Sequence, residues 1–384
     1  MKSAVAGLLG SLLIALPAQS VTTRGISKEA IVVGSHTSLS GPAAIWGVAS
    51  VNGMRMYFDE VNAKGGVFGR KIKLIVEDHQ YQVPRAVQVA NKLINRDKVF
   101  AMIGALGTPM NNAVMKQQLA KDVPNLFPYT AARSMHEPYH KLKIGALSSY
   151  YHSTRKAVSH FVKDEGTKKV CLMAQDSDYG QEIEEAVMDE LKAQKMSLTA
   201  IALHKPTDIS FDVSVSKFKD KGCELVVMGT IIKDTIQILA TSKKKGFTPK
   251  FLGTLASYDP IVGNVKGGLT EGYYVATPFI VQYPGTKLPG AQAFIKKYQD
   301  KYGKVPGSAA QLGYTYAEVF VKALEKTGKN LNLDNFMTSL KSLHNVKLDF
   351  MEEPVNFDPT RKIDEDKIYL SQVKSGKWTK VKPL

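Results

Sequence analysis

Short apolar runs alternate along this chain with longer stretches in which apolar positions recur every third or fourth residue, the signatures of strand and helix. Ile31 to Gly34 reads as a first strand. Trp46, Val51, Met54, Met56 to Phe58 and Val61 then share a helical stripe that stops at Asn62-Ala63-Lys64-Gly65-Gly66, a strong C-terminal stop signal. Lys71 to Val76 (strand), Pro84 to Asn95 (helix), Val99 to Ile103 (strand), Pro109 to about Lys121-Asp122 (helix) and Asn125 to Phe127 (strand) complete the first cycle. A second cycle follows Lys141. Leu142 to Leu147 is extended and Ser153 to Lys163 helical. Strands are predicted at Lys169–Ala174, Leu198–His204, Leu225–Met228, Lys250–Leu255 and Gly272–Thr277. Helices fall between them, after Tyr179, at Phe211–Lys221 and at Thr235–Lys244. Three late helical patterns, Gly290–Tyr302, Ala309–Lys326 and Leu333–Leu343, precede a tail of short strands with turns at Asp358-Pro359 and Ser375-Gly376. The alternation predicts an α/β protein with parallel sheets covered by helices on both faces, in two doubly wound halves.

In an open parallel sheet, ligands sit beyond the carboxyl ends of the strands. Two loops from Val99 to Arg133 lie at that edge: Gly104-Ala105-Leu106-Gly107-Thr108 and Pro128-Tyr129-Thr130-Ala131-Ala132-Arg133. Thr108 reads as the N-cap of the following helix with Pro109 at its first position. Free N–H groups at such a corner suit an anion. If the carboxyl edges of the two halves face each other, the cleft between them is the expected ligand site.

The length, 384 residues, is that of two domains. The formal net charge of +16 comes from lysines scattered singly or in short runs such as Lys243-Lys244-Lys245, with no dense interleaving of aromatics, so nucleic acid is not the expected partner. Such a field favours anionic solutes and lipid headgroups. Met1 to Ser20 reads as a secretory signal: Lys2, an apolar core from Ala4 to Leu16, then Pro17 and the small-residue exit Ala18-Gln19-Ser20. An exported protein is the result. Export permits a disulfide between the two cysteines, Cys171 and Cys223, but both fall in strand-like runs where a buried free thiol is equally ordinary.

Catalytic motifs are missing. The eight histidines form no HExxH, HxH or Cys/His cluster, and Pro138 breaks the i, i+4 pair His136 and His140. There is no GxSxG and no phosphate loop. Gly65-Gly66-Val67-Phe68-Gly69 precedes a strand instead of following one and reads as a turn. Asp176 and Asp178 are loop residues, one of them a cap for the helix starting near Tyr179. Without nucleophile, base or metal set the chain is not expected to be an enzyme, and the residues imply no cofactor.

Three strings carry a family likeness: Ser38-Leu39-Ser40-Gly41-Pro42-Ala43-Ala44-Ile45-Trp46-Gly47, Asn62-Ala63-Lys64-Gly65-Gly66-Val67-Phe68-Gly69-Arg70, and Asp178-Tyr179-Gly180. Together they resemble the branched-chain (leucine/isoleucine/valine) amino-acid binding proteins, the type I periplasmic solute-binding components of ABC importers. The resemblance covers nearly the whole mature chain. It implies a two-lobed, flytrap-like clamp joined by three crossovers, with residues 24–146 plus 278–355 in one lobe and 147–277 plus 356–384 in the other. It also implies a small-molecule ligand in the cleft, periplasmic location, permease and ATPase subunits as partners, and only peripheral contact with the membrane complex.

By the same resemblance, Trp46 covers the apolar part of the ligand. Leu106, Gly107 and Thr108 supply N–H groups and a hydroxyl to a carboxylate, and Tyr129, Thr130 and Ala131 supply backbone groups and a second hydroxyl. A carboxylate needs several donors and no nearby acid; an apolar tail needs an aromatic wall. Thr130 stands earlier in its loop than the family's threonine, directly after Tyr129. In the second half, Leu255 stands where amino-acid binders place the acid that pairs with the ligand's ammonium, and Ile231 replaces an aromatic. Asp259, four residues beyond Leu255, is the candidate replacement acid. Tyr150, Tyr151, Tyr179 and Tyr258 are candidates for a flatter aromatic pocket, with core packing the alternative for each. Arg133 is a candidate to hold an anion or merely to cap its loop. The expected ligand is therefore a small hydrophobic carboxylate, aromatic or aliphatic, with a branched-chain or related amino acid close behind. A sensor presenting its ligand to a signalling partner is the second expectation, and an exported hydrolase a distant third.

Overall fold

The structure is a computed structural model that describes residues 23–351, 354–357 and 367–384. The signal-like segment Met1 to Ser20 and the turn expected at Asp358-Pro359 lie outside the described residues. The first sheet is parallel throughout, in the order β2-β1-β3-β4-β5, from β1 (Ala30–Thr37), β2 (Lys71–Asp78), β3 (Ala101–Ile103), β4 (Asn125–Leu126) and β5 (Lys143–Ile144). Helices α1 (Ala44–Ala63), α2 (Val83–Asn91) and α3 (Thr108–Leu119) connect its strands. The second sheet contains β6 (Val170–Gln175), β7 (Ala200–His204), β8 (Leu225–Gly229), β9 (Lys250–Gly253) and β10 (Tyr274–Thr277), all parallel, with α4 (Tyr150–Lys163) leading in and α5 (Asp178–Ala193), α6 (Asp212–Asp220) and α7 (Ile232–Lys244) between strands. The hairpin β11 (Tyr369–Lys374) and β12 (Lys377–Pro383) closes it antiparallel beside β10, turning through Ser375 and Gly376, both with positive φ. These are the parallel sheets of two lobes.

The chain passes between the lobes three times: after β5, after β10, and before β11. The short α8 (Pro260–Gly263) precedes β10, and α9 (Pro289–Tyr302), α10 (Ser308–Thr327) and α11 (Leu333–Lys341) follow it. Helix α10 lies directly on α1. A Cβ at Gly53 would stand 2.0 Å from the Ala310 carbonyl oxygen, and one at Gly313 2.2 Å from that of Ser50. No side chain larger than hydrogen fits at either position, so two glycines fix this helix pair. Helix α11 then seats Phe336 edge-on against Phe100 at the start of the first sheet, ring centroids 5.1 Å apart.

Boundaries differ locally from the sequence pattern. Helix α2 ends at Asn91 and gives way to a wide turn at Lys92–Arg96, and α3 ends at Leu119, before Lys121-Asp122. Ser177, not an aspartate, holds the cap position of α5, while Asp178 sits in its first turn and accepts from Asn112 Nδ2 of the first lobe at 2.7 Å. Cys171 in β6 and Cys223 before β8 are disulfide-bonded, tying two neighbouring strands at their amino ends. Among the described residues no group of histidine, cysteine and acid is placed to hold a metal, and no helix is long and apolar enough to cross a membrane.

Candidate ligand-binding site

The loops beyond β3 and β4 continue the register of their strands. Leu106 pairs with Tyr129 as a parallel bridge, Tyr129 N–H donates to the Ala105 carbonyl at 2.8 Å, and Gly107 N–H donates to the Tyr129 carbonyl at 3.3 Å. This extra rung sets Thr108 beside Thr130, with hydroxyl oxygens 2.6 Å apart. Gly107, with φ of +94°, turns the chain into α3 and occupies the cap position itself. The expectation that Thr108 caps this helix is therefore corrected. Thr108 is the first helical residue, and its hydroxyl points to Thr130 instead of back along the helix. The opening N–H groups of α3 have no acceptor within the helix, as at any helix start.

Across the cleft, Ser149 caps α4 by accepting from His152 N–H at 3.1 Å, which sets Tyr150 at the entrance to the second lobe. Its hydroxyl is hydrogen-bonded to Thr130, and burial pushes its pKa up to about 12. Burial raises Tyr81 and Tyr179 as well, so all three phenols stay protonated and able to donate. Tyr179 meets Tyr150 edge-on at 4.9 Å, and its hydroxyl is held 2.6 Å from the Thr254 hydroxyl. Ile231 follows β8 and Leu255 follows β9, each at a strand's carboxyl end. Trp46, near the start of α1, spans the gap: its indole N–H donates to the Ala256 carbonyl of the second lobe at 3.0 Å.

Between these walls lies a cavity with about 480 Å3 of empty space, part of it open to solvent. From the first lobe it is lined by the candidates Trp46, Leu106, Gly107, Thr108, Tyr129 and Thr130. Tyr179, Ile231 and Leu255 line it from the second. The Tyr129 hydroxyl reaches toward Gly313 in α10, so this residue offers the cavity its ring. Among the described residues, no acidic or basic side chain lines it.

Three candidates lie elsewhere. Ala131 is buried beside the cavity, its carbonyl accepting from Tyr150 N–H at 2.8 Å. Tyr151, one position on in α4, turns outward to Asp189 at 2.7 Å, and its ring carries the Arg133 guanidinium at 4.0 Å. Tyr258 packs in the second lobe's core, 4.9 Å from the Trp378 ring of β12. Arg133 pairs with Glu185 and Glu182 and so holds no free anion site. Asp259 is no ammonium partner either. It is fully enclosed, caps α8 through Ile261 N–H at 3.0 Å and accepts from Ser308 N–H at 2.9 Å.

Five lining residues stand outside the sequence-derived set or at its margin. Tyr150 is one of the four tyrosines for which the sequence allows either pocket or core, and it lines the cavity. Ala43 lies inside the Ser38–Gly47 string, Ala256 is the neighbour of Leu255, and Leu147 sits at the first passage between lobes. Tyr81 follows β2 at the same carboxyl edge that pointed to Thr108 and Thr130, so the same rule reaches it.

A family model described as periplasmic binding protein matches residues 30–377. The chain belongs to the periplasmic binding protein family. This binding protein is 25% identical over 317 residues, 77% of each chain, to the Leu/Ile/Val-binding protein homolog 7 of Brucella suis biovar 1 (strain 1330). Its fold matches a fatty acid ABC transporter substrate-binding protein from Thermomonospora curvata with a TM-score of 0.82, at 23% identity over 94% of this chain and 93% of that one. It also matches a branched chain amino acid ABC transporter from Thermus thermophilus with bound valine, with a TM-score of 0.84 at 16% identity over 94% and 97%. These are type I periplasmic binding proteins, and the family and its relatives bind solutes and are not enzymes.

Proposed function

We propose that this protein is the extracytoplasmic receptor of an ABC importer that captures a small hydrophobic carboxylate between its lobes and hands it to permease subunits driven by an ATPase. The observation that carries the reading is the division of labour around one cavity. Donors gather at one end: the Thr108 and Thr130 hydroxyls 2.6 Å apart, the Tyr150 phenol and the start of α3. Trp46, Tyr129, Tyr179, Ile231 and Leu255 surround the rest. A carboxylate satisfies the donors, and an organic tail fills the apolar remainder. The two structural relatives named above are labelled for a fatty acid and for valine, both carboxylates with apolar tails.

A branched-chain amino acid is the second reading, favoured by the names of the sequence relatives. Against it stands the cavity wall: burying an ammonium with no carboxylate partner costs several kcal/mol. In function, the open lobes bind ligand on one face and close when the other face reaches it, so ligand selects the closed form. Met1 to Ser20 would be removed on export to the periplasm. Transport is favoured over a sensing role because the two structural relatives are named as ABC transporter proteins.

The test is mass spectrometry of whatever co-purifies in the cleft, followed by thermal-shift titration with phenylacetate, benzoate, 4-methylpentanoate and L-leucine. Bound ligand raises the melting temperature by mass action. A response to the acids without an ammonium is expected to exceed that to leucine. Tight leucine binding with no response to the acids overturns the carboxylate reading.

A further inference from the structure

We propose that His79 is the positioning residue of this site: its buried imidazole splices the loop after β2, which carries Tyr81, to the loop after β3, which carries Leu106, Gly107 and Thr108. The inference rests on the ligand site described above but concerns a residue that does not itself line the cavity. His79 directly follows β2 and is fully buried. Its Nδ1 accepts the Tyr81 N–H at 3.0 Å, and its Nε2 lies 3.1 Å from the Leu106 carbonyl oxygen. Because Nδ1 must be bare to accept, the ring proton belongs on Nε2, where it donates to that carbonyl. One neutral tautomer thus completes both bonds, and no other does. Burial holds the ring neutral, with its pKa lowered to about 4.

Both loops need such a tie. Gln80 and Tyr81 have φ of +55° and +60°, two consecutive non-glycine residues in the left-handed region, which only a constrained turn sustains. Asp78 supports the first half of that turn by accepting from Gln80 N–H at 2.8 Å, and His79 supports the second. Tyr81 then projects its ring against Gly107, where an added Cβ would stand 3.2 Å from Tyr81 Cε2, and its hydroxyl reaches Gln175 of the second lobe at 3.4 Å. On the other side, Leu106 N–H donates to the His36 carbonyl at 3.1 Å while its own carbonyl receives the imidazole. The peptides on the two sides of the Leu106 Cα are therefore held by one bond each, Ala105–Leu106 by His36 and Leu106–Gly107 by His79. The second leads directly into Gly107 and Thr108, so the imidazole aims the donors at the start of α3. An aspartate or leucine of similar size at position 79 supplies at most one of the two bonds.

Three measurements on the full mature chain test this. First, the ring nitrogens of His79 in 15N-labelled protein at pH 7 should report Nδ1 unprotonated and Nε2 protonated; the opposite tautomer, or an imidazolium, overturns the assignment. Second, amide exchange should rise about tenfold at Tyr81 in His79→Leu, where a buried donor loses its acceptor, and stay near the parent's in His79→Asn, whose Oδ1 takes the place of Nδ1. Equal exchange in all three proteins overturns it. Third, Trp46 fluorescence titrated with phenylacetate and with L-leucine should show His79→Leu about tenfold weaker for whichever probe the parent binds, with His79→Asn between the two. Unchanged affinity in His79→Leu overturns the positioning role and leaves the receptor reading intact. A parent that binds neither probe counts against the receptor's ligand class, while the tautomer and exchange results still decide His79. Should His79→Leu fail to fold, His79→Asn and the tautomer decide alone.

Discussion

The two walls of the cleft are built from the same βα units yet present different chemistry. In the first lobe, the Thr108 and Thr130 hydroxyls bond each other across 2.6 Å, which uses one of their two protons and leaves the other, beside the unsatisfied start of α3. In the second, the polar groups are consumed within the wall: the Tyr179 hydroxyl by Thr254, the Ser257 hydroxyl by Tyr273, the Thr230 hydroxyl by Thr235. What that wall turns to the cavity is ring edge and aliphatic carbon. On the reading proposed above, the first lobe's donors and the Tyr150 phenol hold the anion, and the remainder of the second wall encloses the tail. Selectivity for charge then concentrates where Thr108, Thr130 and Tyr150 meet, while selectivity for shape requires closure.

Trp46 is the residue that belongs to both walls, and its loss should do the most damage. It lines the cavity from α1 and donates to the Ala256 carbonyl of the other lobe. Trp46→Ala should weaken the best-binding carboxylate about a hundredfold, the size of loss expected for a central aromatic anchor, as read by calorimetry. A loss below about fivefold would mean that the lobes close without it. Next in size is Thr108→Val, which keeps the shape and removes one donor. Phenylacetate should lose about tenfold and phenylacetamide much less, since charged acceptors gain most from a donor. Equal losses for acid and amide would remove the contrast between the walls.

The second wall can be sharpened in the opposite sense. Leu255→Glu inserts an acid where none lines the cavity, and should move the preference between L-leucine and 4-methylpentanoate about tenfold toward the amino acid. An unchanged ratio in a folded variant would show that position 255 does not face the ligand's α-carbon.

Much of the scaffold was readable because its periods are strong. The strand runs and helical stripes fall within a few residues of the observed elements, and the donor-bearing loops followed from a rule about strand ends. What was unreadable depends on angles that a linear pattern does not carry. Tyr150 and Tyr151 are neighbours on one helix, and a rotation of one residue sends the first ring to the cavity and the second to Asp189. Tyr258 carries the same chemistry as Tyr179 but meets Trp378, a residue from the far end of the chain. Asp259 was a plausible ammonium partner by spacing; its destination depended on α10, whose Ser308 N–H it accepts. Thr108 followed a cap pattern, yet the left-handed Gly107 ahead of it released the hydroxyl to the site. The cysteine pairing needed the adjacency of β6 and β8, which the order of strands in sequence does not reveal.

The smallest effect expected concerns the seam beside the cavity rather than either wall. Glu182 of α5 is buried and accepts from Arg133 N–H at 3.0 and 3.1 Å and from Tyr151 N–H at 3.2 Å, joining the second lobe to the loop that carries Thr130. Burial outweighs these donors and pushes its pKa up to about 7, with the Arg133 charge opposing and Glu185 assisting. An acid raised in the folded state contributes stability that is complete below the ordinary carboxylate range and is lost as pH rises through about 7. Buried histidines act in the opposite direction on the acid side, since His36 and His136 are lowered to about 3 and about 4 and the fold disfavours their protonation. The parent's own pH profile therefore mixes the two, and a difference measurement is needed. Glu182→Gln remains neutral and keeps an acceptor for the same N–H groups. Relative to the parent, its melting temperature should improve by about 2 °C between pH 5 and pH 8. A difference that is the same at both pH values would show that Glu182 is ionised throughout, and that the seam is held by its charge on Arg133 instead of by a neutral carboxyl.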